Sequence, residues 1–355
     1  MSFSPKNIFL SFIILGGLMF VGAAGFVWWM QQQPFYTPGT LAQRTDLEPI
    51  GKTDGYWQVT KDVQLKTFAT GKGRNILFIH GGPGMPLQQS APAFDLLQND
   101  YRINYYDQRG SGGSTHPFIR FPVERDKWSN AQQLESKLGI AQQLADIERV
   151  RRLLGDDKLI LVGHSNGALL AALYAAEFPD NVDKLVLLTP ADILVAPSKN
   201  PDLYAVIREN LPKREQKAYD KWLRRYTDTE QIFKDDEATL QTVDAGLIPY
   251  VEKAFGKDVF KNQSVLPTDQ FGSWQTRAQS FSLGTTHDWR AALANVTADT
   301  LIIHGGNDFD PLTVSKQYAN AIPKAKVEQI DSAGHFPHIN NAQELSSKMR
   351  TFLKN

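Results

Sequence analysis

The most constraining feature of this chain is a change of period at residue 163. Leu159-Ile160-Leu161-Val162 is a short aliphatic run of the kind buried on both faces of a parallel sheet, and Ala168 to Glu177 is a run of helix formers. Between them stands Gly163-His164-Ser165-Asn166-Gly167. A strand that becomes a helix within five residues forces the central side chain into a sparsely allowed backbone conformation, and the flanking glycines leave room for neighbouring chain. The serine hydroxyl then projects above the sheet at a helix amino terminus, where peptide dipoles favour developing negative charge. An ordinary serine N-cap is the plainer reading of these five residues, but it asks for no partners elsewhere. The rest of the chain supplies them.

Short β-rich runs alternate with helical patterns along most of the sequence, the signature of a mainly parallel sheet covered by helices. Tyr56 to Thr70 alternates polar and apolar residues and predicts an opening antiparallel pair or edge strand. Buried strands are expected at 76–79, 102–106, 159–162, 185–188, 301–303 and 327–330, for a sheet of eight. Helices are expected at 142–154, 168–177, 314–321 and near 342–353. Residues 191–285 break this rhythm: they are rich in charge and helix formers and predict a helical lid inserted over the carboxyl edge of the sheet. The expected organisation is a membrane segment at 1–30, a linker at 31–50, core at 51–190 and 286–355, and the lid between.

The chemistry lies at strand ends. His80-Gly81-Gly82-Pro83-Gly84 follows the 76–79 run, and its backbone amides can approach a ligand closely. An oxyanion hole needs two such amides, assigned here to Gly82 and Asn166 with Gly81 as the fallback. Asp308 follows the 301–303 run and His335 follows the 327–330 run. The order Ser165, Asp308, His335 gives a nucleophile, an orienting carboxylate and a general base. Asp310 is the competing acid on the same loop. His338 is the competing base, or else a side chain pointing to solvent. His80 precedes the nucleophile and reads as a structural hydrogen-bonder. Asp107 and Arg109 are expected to hold nearby loops through a local ion pair, and His287 to be structural.

Composition removes other classes. With 38 basic and 38 acidic residues the chain is neutral, which argues against nucleic-acid binding. It has no cysteine, so disulfides and thiolate chemistry are excluded. No paired-histidine zinc motif, phosphate loop or dinucleotide fingerprint occurs, and no cofactor or metal is expected. No charged side chain falls between Lys6 and Arg44, and residues 8–30 are almost wholly apolar. As a helix they would span about 35 Å, enough to cross a bilayer core, with Trp28 and Trp29 at the interface. The expectation is a retained anchor with the catalytic part periplasmic or extracellular. The alternative is a signal peptide cleaved near Gly22-Ala23-Ala24, releasing a secreted or periplasmic protein.

HGGPG at 80–84 together with Asp107-Gln108-Arg109-Gly110-Ser111-Gly112-Gly113-Ser114 resembles the proline iminopeptidase branch of the α/β-hydrolases. The resemblance covers roughly Ile76 to Pro190 and Thr300 to Ile339. It implies an α/β-hydrolase fold, an aminopeptidase releasing amino-terminal residues from short peptides, and catalytic roles for Ser165, Asp308 and His335. It also implies that lid acids bind the substrate's free amine, with Glu230, Asp235, Asp236, Glu237 and Asp244 as candidates. One departure stands out: the branch carries Gly-Gly-Ser-Trp-Gly at the elbow, whereas this chain has Gly-His-Ser-Asn-Gly. The altered pocket wall keeps a carboxylic-ester hydrolase in view, and a non-catalytic binding protein on the same fold is the third reading.

Overall fold

The computed structural model describes residues 32–122, 126–260 and 266–354. The apolar stretch 8–30, expected as an anchor or signal peptide, lies outside them. Among the described residues no helix is long and apolar enough to cross a membrane.

Nine strands form one sheet: β1 (Gly51–Thr53), β2 (Tyr56–Thr60), β3 (Val63–Gly71), β4 (Arg74–Ile79), β5 (Tyr101–Tyr106), β6 (Leu159–His164), β7 (Val182–Leu188), β10 (Asp299–Gly305) and β11 (Ala325–Ile330). A separate two-residue pair, β8 (Val195–Ala196) with β9 (His287–Asp288), joins the two ends of the inserted segment. The order across the sheet is β1-β2-β3-β5-β4-β6-β7-β10-β11. The first three pairings are antiparallel and the others parallel. The eight-stranded expectation is corrected to nine because Gly51-Lys52-Thr53 carries no apolar side chain to announce a strand. It is recruited by backbone pairing to β2 alone.

The parallel strands bury both faces. In β4, Leu77 and Ile79 enter one core while Ile76 and Phe78 enter the other. β6 and β7 divide in the same way, as the two-residue period of a strand requires. Helices Ile140–Leu154, Asn166–Glu177 and Leu312–Ala321 cover the first face, and Ala342–Lys354 covers the second. β4 lies between β5 and β6, so successive connections leave in opposite directions and open a crevice at the strands' carboxyl ends.

Two expected boundaries are blurred by packing. The stretch expected as a linker contributes Tyr36, Leu41 and Leu47 to the core. Glu177 holds it there, accepting from Tyr36 Oη (2.7 Å) and from the Gly39 (2.6 Å) and Leu41 (3.0 Å) amides. The inserted segment is helical, with helices Leu203–Asn210, Lys213–Tyr226, Glu237–Ala245, Ile248–Phe255 and Ser273–Leu283. The last of these shares an apolar cluster with helix Lys127–Leu138, through Trp274, Ala278, Leu134 and Leu138.

Candidate active site

The elbow has the geometry its glycines permit. Ser165 sits at φ 54°, ψ −120° between β6 and helix Asn166–Glu177. A Cβ on Gly163 would lie 2.3 Å from the Gly167 carbonyl oxygen, and one on Gly167 would lie 2.3 Å from that of Ile79. Neither glycine has room for any other residue. Ser165 lines a cavity of about 250 Å³ shared with Gly81, Gly82, His335 and, from the inserted segment, Leu247, Val251 and Glu252. Ser165 Oγ makes no hydrogen bond among the described residues.

Asp308 and His335, on the loops after β10 and β11, meet at 2.8 Å between Oδ1 and Nδ1, with side chains 1% and 4% exposed. The Asp308 contact fixes the imidazole with Nδ1 protonated and leaves Nε2 as the basic nitrogen. Phe309 stacks on the ring, with centroids 3.9 Å apart. Asp310 only donates its amide to Asp308 Oδ1 (3.2 Å), and burial lifts its carboxyl to about 7. Donor atoms of Asp308, Asp310 and His335 lie within 4.8 Å of one another, the spacing a divalent cation could use. A metal there would compete with the Asp308–His335 hydrogen bond.

Gly81 and Gly82 line the cavity, and a Cβ on Gly81 would lie 3.0 Å from Ser165 Cβ. The amides of Gly82 and Asn166 donate no hydrogen bond among the described residues. Behind this loop, His80 is structural: its Nε2 accepts from the Gln108 amide (3.1 Å) and its Nδ1 faces the Gly81 carbonyl (2.8 Å). Gln108 Nε2 returns a bond to the His80 carbonyl (2.8 Å). The 107–114 motif is thus a scaffold for the glycine loop. Asp107 and Arg109 do not pair with each other. Asp107 accepts from the Gly113 amide (2.8 Å), whereas Arg109 reaches Asp146 through two bonds of 2.5 and 2.6 Å. The long guanidinium stem finds a buried carboxylate on helix Ile140–Leu154, which spacing along the loop could not reveal.

His338 does not point to solvent. It is 1% exposed, packed against Phe78, Phe94, Phe336 and His164, and its Nδ1 has no partner among the described residues. Burial, with the charge of His335 adding to it, pushes its pKa down from 6.5 to about 3. The unfolded chain therefore takes up this proton near pH 6.5 while the folded chain refuses it until about pH 3. This group's stabilising contribution is complete above 6.5 and is lost as pH falls. Relative to wild type, His338→Phe should gain about 1.4 kcal/mol for each pH unit below 6.5. Urea denaturation of both proteins from pH 7 to 5 measures it; parallel curves would contradict it.

The five candidate lid acids are all engaged elsewhere. Glu230 pairs with Lys127 (2.6 Å), Asp235 with Arg225, Asp236 with Arg120 (3.0 Å), Glu237 with His116 (2.7 Å) and Asp244 with Arg277. None lines the cavity. The carboxylate that does is Glu252, which sequence reasoning passed over; it has no partner among the described residues. Its signal was a charge within the apolar stripe Leu247, Ile248, Val251 of its helix. Trp222, Trp274 and Trp289 are absent from the cavity wall. His287 faces the Leu283 and Ile193 carbonyls at the foot of the insertion, a structural role.

A sequence-family profile described as "alpha/beta hydrolase fold" matches residues 74–342. The chain is an α/β-hydrolase. This hydrolase is 23% identical over 305 residues to the proline iminopeptidase of Heyndrickxia coagulans, covering 85% of the chain and 98% of the relative. To the proline iminopeptidase of Neisseria gonorrhoeae it is 33% identical over 135 residues, 38% of each chain. Among solved structures, an esterase from Thermogutta terrifontis superposes with a TM-score of 0.56 at 18% identity, covering 82% of this chain and 93% of the other. At that identity the likeness speaks for the fold.

Proposed function

We propose that this α/β-hydrolase is an aminopeptidase that releases amino-terminal residues, proline among them, from short peptides through an acyl-enzyme on Ser165. The observation that supports this reading is Glu252. Among the described residues Glu252 is the one carboxylate in the wall of the largely apolar cavity that also holds Ser165, His335 and Lys257, and it offers a substrate cation a counter-charge there. The free α-amine of a peptide is such a cation, and it stands two bonds from the carbonyl to be attacked. The relatives named above are proline iminopeptidases.

In this mechanism His335 Nε2 takes the Ser165 proton as Oγ attacks the carbonyl carbon. The Gly82 and Asn166 amides receive the oxyanion, and Asp308 stabilises the imidazolium. The C–N bond breaks as His335 returns the proton to the leaving amine. Water, deprotonated by the same nitrogen, then releases the amino acid. Residues 191–285 act as the lid.

A carboxylic-ester hydrolase is the second reading, favoured by the apolar wall of Leu203, Leu247, Val251, Phe260, Phe271 and Phe309. Proline arylamide, its N-acetylated form and short- and long-chain aryl esters separate the two. Glu252→Gln should raise KM for the free-amine substrate about tenfold or more and leave aryl esters unchanged. Turnover of esters alone, with Glu252→Gln silent, would favour the esterase.

A further inference from the structure

The loop carrying His335 is fastened by a contact that the mechanism above does not use. The His335 backbone carbonyl accepts two side-chain hydrogen bonds, from His164 Nε2 and Thr189 Oγ1, each 2.8 Å. The two donors end adjacent parallel strands: His164 is the last residue of β6, next to Ser165, and Thr189 follows β7. Both are buried, at 5% and 1% exposed.

Thr189 stands at φ 42°, where a β-branched side chain is rarely found. Besides Ser165 it is the other non-glycine residue at positive φ among the described residues. Such strain persists where surrounding structure holds it in place, and it concentrates at functional sites. Here the Thr189 amide donates to the Ile303 carbonyl (2.8 Å), while the Ser165 amide donates to that of Leu188 (3.0 Å). The left-handed turn after β7 is therefore anchored on β10 on one side and to the elbow on the other. Its hydroxyl is what reaches the base-bearing loop.

We infer that Thr189, together with His164, is a positioning residue that sets His335 against Ser165. Asp308 fixes the rotation and tautomer of the imidazole, but a rotation is useful only if the backbone beneath it keeps its place. Without the hydroxyl, the His335 carbonyl keeps one of its two donors, and the base moves relative to the elbow. A misplacement of about 1 Å can cost on the order of 100-fold in rate. Substrate binding through the insertion is untouched. This inference rests on the reading of Ser165 and His335 as nucleophile and base.

Thr189→Val keeps the β-branch and removes the hydroxyl, and Thr189→Ser keeps the hydroxyl. In the full chain, kcat and KM on an activated aryl ester, the rate of Ser165 labelling by a fluorophosphonate, and Tm are compared. For Thr189→Val, kcat and the labelling rate should fall together by about tenfold or more, with KM within about twofold. Thr189→Ser should recover most of the loss. Normalising kcat to the labelled fraction removes any contribution from misfolded protein. Equal kcat in Thr189→Val and wild type, or no recovery in Thr189→Ser, would overturn the positioning role alone. Failure of the wild type to be labelled at Ser165 would overturn the catalytic reading and this inference with it.

Discussion

Replacing Asp308 by Asn should lower kcat on the order of 10⁴-fold while KM and Tm stay close to wild type. The amide is nearly isosteric, but its NH₂ can turn toward His335 and stabilise the tautomer whose proton lies on Nε2. That ring cannot take a proton from Ser165, and the carboxylate hydrogen-bonded to His335 Nδ1 is gone. Asp310→Asn is the matched control and should change kcat by less than about tenfold. Its carboxyl is lifted to about 7 by burial, so it is partly neutral near pH 7, and it touches Asp308 through its backbone amide. Steady-state kinetics on one activated substrate decides between the two acids.

Asp146→Asn should destabilise the folded chain by about 3–5 kcal/mol, measured by urea denaturation. Asp146 accepts two bonds from Arg109 and a third, 2.9 Å, from Arg149. The three side chains are 1–5% exposed. Neutralising the acid leaves two guanidinium groups facing each other with little water to screen them. Arg109→Met with Asp146→Leu should cost less than the sum of those two changes made singly, because the apolar pair leaves only Arg149 short of Asp146, and Arg149 keeps its bonds to Asp46. The damage would extend to the site. Arg109 is bracketed by Gln108, which braces His80, and by the turn at Gly110, so the glycine loop loses its support when this corner loosens.

Strands β4, β6, β7 and β10 were legible because a strand buried on both faces carries an unbroken apolar run, and few other structures tolerate such runs. The candidate site residues stood out for a related reason. Parallel order brings the carboxyl ends of separate strands to one edge, so polar residues just after aliphatic runs become neighbours; Asp308 and His335, 27 positions apart, meet in this way. What sequence could not disclose were partnerships made across the fold. The Arg109–Asp146 pair joins a loop to a helix 37 positions away. Glu252 was hidden among many lid acids, and only packing separates the one facing the cavity from those held by lysine, arginine and histidine. The Thr189 hydroxyl reaches His335 because of one left-handed backbone angle. No hydropathy pattern encodes it.

The central claim is that acyl transfer passes through the Ser165 hydroxyl. Its most direct test is intact-mass analysis and peptide mapping after reaction with a fluorophosphonate, alongside hydrolysis of an activated ester. The expected result is one adduct per chain, on Ser165, absent from Ser165→Ala, with hydrolysis in that variant reduced by at least about 10⁴-fold. An adduct on a different residue, or an alanine variant that turns over ester at the wild-type rate, would contradict it.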